Sequence, residues 1–311
     1  MTESRDDTGI RDETVRDDPI SRDDTISTYQ HLRVGMVLLL VLLLAAVGLQ
    51  VAVSDPTCLQ SSISAYYFTP VRAVFVGCLC ALGACLIVYR GSDDTEDIAM
   101  NAAGALAFVV AFVPTTVDDS CEAANVPTRR ELEAAIDNNV AALLIVGVIG
   151  LAVAFLLTRA IRDATARGRA RVSLASIAVV PVVTAIAFVA ARETFRTAAH
   201  SVAAGVMFAA IVATVMTNGV GLARRSTTGR GRGPGRPDAA ALRNRYAAVA
   251  GAMVGTLLVC VAVLRVVVDQ WIFWLELFVL IEFAAFWVIQ THELWRVRTR
   301  DDLGEIPPAE I

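Results

Sequence analysis

Eight runs of apolar residues, each roughly 17 to 22 long, set the terms for this chain of 311 residues. They are residues 34–53, 70–89, 98–114, 140–157, 172–191, 198–217, 247–267 and 271–291. At 1.5 Å per residue, helices of this length match a hydrocarbon core about 30 Å thick. None of the runs alternates with a period of two, and lipid admits only structures that bond every backbone group internally. The expectation is an all-α bundle of eight transmembrane helices spanning residues 34–295, a multi-pass protein of the cell membrane.

Arginine supplies the orientation. All 27 basic residues are Arg. With the N-terminus inside, twenty-one of them fall on the inner side and four (Arg129, Arg130, Arg192 and Arg196) on the outer side. Arg72 and Arg265 stand at segment edges. Cytoplasmic loops carry the excess of Lys and Arg, so both termini are expected to be cytoplasmic. The absence of Lys and the abundance of Asp resemble the usage of halophilic archaea.

Residues 1–30 repeat R-D-D-T, R-D-E-T, R-D-D-P and R-D-D-T with few apolar residues between. Such a mixed-charge stretch cannot bury enough surface to offset its ordering entropy and reads as a disordered cytoplasmic tail. Residues 224–245 read as a flexible basic loop whose Arg attract anionic headgroups. No aromatic residues interleave with its Arg, so nucleic acid is not an expected partner. Residues 296–311 form a short inner tail.

Ionisable residues at membrane depth cost about 2.5–3.5 kcal/mol each and usually face a bundle interior or a cavity. On this topology Tyr66, Tyr67, Arg72, Glu193, His200, Arg265, Asp269 and Glu276 come to one depth at the outer face. They are the candidate ligand-binding residues. Glu282, 11 residues into the last run, is a candidate proton or cation group; a hydrogen bond to a neighbouring helix is the plainer reading. Trp271, Trp274, Trp287 and Trp295 fit an interfacial belt at the two ends of the last helix.

The run S-I-S-A-Y-Y-F-T-P-V-R-A-V-F-V-G, ending at Gly77, resembles an element of a family of prokaryotic polytopic membrane proteins to which no activity attaches. Y-R-G-S-D-D from Tyr89 to Asp94 extends the likeness, as do Trp274, Leu275, Glu276 and Trp287 in the last helix. Two positions depart from that pattern. Phe68 stands where a His is frequent, and Ala73 where an Asp is usual. A multi-histidine zinc site like that of the CREST membrane hydrolases is not expected, because His31 and His292 lie inside and only His200 outside. No Walker, Rossmann or G-x-S-x-G pattern occurs, so no catalytic residue, cofactor or metal is assigned.

Binding of a membrane lipid or a small polar ligand at the outward-facing polar site is the expected function. A proton- or Na⁺-coupled secondary transporter is the alternative, and a lipid-acting enzyme stands behind both. The sequence does not set the oligomeric state.

Cys58 and Cys121 are the only cysteines expected outside, so a disulfide between them is a candidate. Cys78, Cys80, Cys85 and Cys260 fall within helices, where thiols pack as small apolar groups. A membrane-impermeant thiol reagent applied to intact cells after reduction is expected to label both Cys58 and Cys121. Labelling of neither would reverse the orientation, and labelling before reduction would remove the disulfide.

Overall fold

Every run that reads as apolar in the sequence is helical in the computed structural model, which describes residues 19–54, 59–116, 126–228 and 242–299. The helices are α1 (Pro19–Val53), α2 (Arg72–Val88), α3 (Asp94–Phe112), α4 (Arg129–Ala160), α5 (Ala164–Ala190), α6 (Arg192–Thr228), α7 (Arg245–Val267) and α8 (Trp271–Glu293). A 3-10 helix, Ser64–Phe68, precedes α2, and α7 widens into a π-turn at Cys260–Leu264. No strand occurs among the described residues. Among the described residues seven helices are long and apolar enough to cross a membrane, and α2 is the shorter eighth at 17 residues.

Several helices outrun their apolar cores because polar residues start them early. Asp93 accepts the Thr95 and Glu96 N–H groups at the start of α3. Thr128 and Glu131 form a reciprocal capping box that begins α4 well before residue 140. Asp163 and Asn244 cap α5 and α7 in the same manner. Helix α1 begins at Pro19, so the stretch from there to residue 30 is helical rather than part of an unstructured tail. Two contacts hold the end of that stretch against the bundle. Gln30 donates to the Trp295 carbonyl at 2.5 Å, and the Tyr29 ring meets Tyr89 edge-on.

Helix α3 is the centre of the bundle. It packs against α2 and α6 most extensively, then against α5 and α4. Of its most apolar stretch 56% is buried, against 6% for α4, so α4 turns its apolar side chains toward lipid. Ala99, Ala103 and Ala107 keep α3 slender enough for several neighbours. The tightest approach is to α2. A methyl at Gly83 would sit 2.7 Å from the Gly104 carbonyl oxygen, and one at Gly104 would sit 2.6 Å from that of Gly83. Small residues at such a crossing let two backbones meet, the main source of helix association in lipid.

Helix α1 and the segment that follows α8 meet at one end of the bundle. Arg33 of α1 is fully buried and donates to the Leu294 carbonyl at 2.7 Å, the Val297 carbonyl at 3.3 Å and the Arg298 carbonyl. These oxygens lie at and beyond the C-terminus of α8, where carbonyls lack helical partners. An even number of crossings produces this meeting, and seven would not.

Gly104→Leu is expected to lower the stability of the purified protein by at least about 2 kcal/mol, read as an earlier thermal unfolding midpoint. Gly77→Ala, whose added methyl meets nothing within 4 Å, is expected to unfold with the wild type.

Candidate functional site

The segment before α2 is built into the bundle rather than laid over it. All five residues of the Ser64–Phe68 helix are buried. Ser62 Oγ accepts the Ala65 N–H at 3.0 Å, Thr69 Oγ1 donates to the Tyr66 carbonyl at 2.7 Å, and Pro70 leads into α2. Glu276 of α8 fastens this element from across the bundle. Its carboxylate accepts the Ser64 N–H at 2.9 Å and the Ser64 hydroxyl at 3.1 Å. The Phe273 N–H adds a bond of 3.0 Å to the Ser61 carbonyl. Glu276 thereby meets N–H donors that a short helix leaves unsatisfied.

Tyr66 packs inward against Phe273, and burial pushes its phenol above the usual range. Tyr67 is equally buried but turns its hydroxyl toward Arg72, whose Nη2 donates to it at 2.7 Å. The guanidinium carbon lies 4.3 Å from the centre of the Tyr67 ring. Arg72 itself is exposed, with no carboxylate paired to it among the described residues. Ala73 next to it supplies none. Both line an open groove of about 590 Å³ between α2, the end of α3 and α4. Its polar lining is Tyr67, Arg72 and Asn139; Pro70, Val76 and Phe112 are among its apolar walls.

The other expected members of the outer constellation lie elsewhere. Glu193 pairs with Arg129 at 2.7 Å in an ion network between the starts of α4 and α6. In that network Arg196 binds Asp137 at 2.5 Å and Glu133 at 3.1 Å. His200 is buried and bonds through Nδ1 to the Val113 carbonyl at 2.6 Å, closing the C-terminus of α3. The side chains of Arg265 and Asp269 are exposed and have no hydrogen-bond or ion-pair partner among the described residues. Glu276 and Arg72 are brought to the same turn, on its two sides. Glu193 and His200 are not bonded to it.

Glu282 accepts a 2.7 Å hydrogen bond from Thr256 of α7, the neighbouring-helix partner that the plainer reading expects. Cys58 and Cys121 lie outside the described residues. Cys78, Cys80, Cys85 and Cys260 are free thiols. Trp287 departs from the expected belt: it is fully buried, with its ring edge-on to Tyr89 and Phe283.

A second polar cluster, at the end where Arg33 meets the segment after α8, has no counterpart in the sequence reading. Fully buried Glu96 accepts from Asn218 at 2.7 Å, from Gln290 at 3.3 Å and from the Ser92 N–H at 2.7 Å. Gln290 also donates to Asn218 Oδ1 at 3.1 Å. The cluster joins α3, α6 and α8. Beside it, Tyr89 accepts from Arg33 Nε at 3.1 Å, and burial pushes the Tyr89 phenol up to about 12. The signal was present in the polar residues Asn218 and Gln290 at run ends. The runs that begin at Ile98 and end at Thr217 stop just short of Glu96 and Asn218.

No family model, curated protein or solved structure matches the chain. Among the described residues no three His, Cys, Asp or Glu side chains come together to hold a metal. The arrangement around Arg72 can present a fixed cation to an anion, with an apolar wall beside it. The arrangement around Glu276 ties the Arg72-bearing turn to α8.

Ser64→Ala removes the hydroxyl donor and leaves the backbone bond. It is expected to cost about 1 kcal/mol, and Glu276→Ala about 1–3 kcal/mol, because the latter strands buried donors. Thermal unfolding in detergent checks both; equal melting of Glu276→Ala and wild type would show the fastening to be idle.

Proposed function

We propose that the protein binds the anionic headgroup of a membrane lipid in the groove between α2, α3 and α4, on the outward face of the cell membrane. One observation carries this reading: Arg72 is held in place by a neutral partner and left without a paired carboxylate among the described residues, beside an apolar groove. Tyr67 uses one of the guanidinium donors and orients the plane, and the remaining donors can address two oxygens of a phosphate or carboxylate. Asn139 offers an amide on the α4 side. Pro70, Val76 and Phe112 suit the apolar part of a lipid, as pockets for amphiphilic ligands combine apolar walls with few polar groups. The outward assignment follows from the Arg bias across the loops.

Native mass spectrometry of the protein extracted from mixed anionic and zwitterionic bilayers tests this. An anionic-lipid adduct is expected on wild type and on Arg192→Ala. Arg72→Ala is expected to bind it about tenfold more weakly, the loss of one charge-assisted contact of about 1.4 kcal/mol. Equal adducts on Arg72→Ala and wild type would overturn the proposal. A bound water-soluble anion in place of lipid would reassign the ligand.

A further inference from the structure

The seam between α7 and α8 holds a carboxyl group at half the depth of the bundle. Glu282 stands 11 residues from each end of α8 (Trp271–Glu293). One of its oxygens accepts the Thr256 hydroxyl; the other, Oε2, is buried without a hydrogen-bond partner. Among the described residues no cation pairs with it. The stretch of α1 from residue 34 to 53 carries no ionisable side chain. On α7 the titratable group beside it is the buried thiol of Cys260. Arg265 is nine residues beyond Thr256, about 13 Å along the helix. On α8 itself Glu276 is six residues away and bonded to Ser64. Helix α7 changes register here too. The π-turn Cys260–Leu264 starts one turn after Thr256, on the same face. Such turns interrupt the regular hydrogen-bond ladder and recur at functional sites.

We infer that Glu282, with Thr256, forms an intramembrane proton-binding site in the α7–α8 seam. A carboxylate with a free buried oxygen and no cation is unfavourable in hydrocarbon, and a bound proton removes the charge. The Thr256 hydroxyl stabilises the ionised form, so the group exchanges its proton rather than staying neutral throughout. This is separate from the lipid groove and does not depend on it.

The test is labelling of the full-length protein in vesicles with dicyclohexylcarbodiimide, an apolar reagent that attacks protonated carboxyls, followed by peptide mapping. An adduct at Glu282 is expected that falls about tenfold per pH unit once the acid dissociates. Glu282→Gln keeps an acceptor for Thr256 and is expected to lose the adduct while folding normally. Thr256→Val removes the donor that favours the charged form, so labelling is expected to persist to higher pH than in the wild type. Absence of the Glu282 adduct at all pH values would overturn the inference. So would labelling that does not vary with pH, or protection by Na⁺ at constant pH, which would assign the carboxylate to a cation.

Discussion

The backbone-to-backbone approach of α2 and α3 at Gly83 and Gly104 is the contact on which the rest of the arrangement depends. Lipid tails are as apolar as leucine, so helices in a bilayer gain little from burying hydrophobic surface against each other. What they gain is dispersion at close range and hydrogen bonds that lipid cannot offer. A slender, Ala-rich α3 can be approached from several sides at once. Its two ends then become docking points. His200 of α6 closes one through the Val113 carbonyl, and Asn218 and Gln290 meet Glu96 near the other.

Polar groups elsewhere hold helices in register. Arg33 commits its guanidinium to Tyr89 and to carbonyls past the end of α8, and Glu276 commits its carboxylate to the Ser64 turn. The two fastenings act at opposite ends of α8, so that helix cannot slide or rotate without stranding buried donors. Leaving such groups unpaired costs more than forming them gains, so they specify the fold by penalty. The ion network of α4 and α6 is different in kind. Its members are exposed or half-buried, where ion pairs contribute little. It orients the starts of two helices without deciding where they lie.

The helical bundle was legible because periodic apolar length is a one-dimensional signal. Position along each helix was legible as well: Arg72 and Glu193 fall in the first turns of α2 and α6, and Glu276 in the second turn of α8. Partnership was not. Residues at one depth can sit on different sides of a bundle some helices wide, and nothing in spacing says that Glu276 faces Ser64 whereas Glu193 faces Arg129. The Glu96 cluster was missed for a related reason. Its carboxylate lies in the first turn of α3, where an acidic residue ordinarily faces water and the helix N-terminus. Here Gly91 lets the preceding chain close over it: a methyl on Gly91 would stand 2.7 Å from Glu96 Cγ. Trp287 misled in the same direction, since an aromatic residue near the end of an apolar run reads as interfacial until its neighbours Tyr89 and Phe283 are in place.

Two arginines at the same end of the bundle show how partner chemistry separates structure from function. Arg196 faces two carboxylates, Asp137 and Glu133, which cancel its charge and spend its donors inside the protein. Arg72 faces a phenol. A neutral acceptor and an aromatic face fix the position of a guanidinium but leave its charge intact, so its field extends into the groove that it lines. Substituting an acid at position 73 would place a carboxylate next to that charge and compete for it. The small apolar side chain of Ala73, which lines the same groove, leaves that cation without a competing charge beside it.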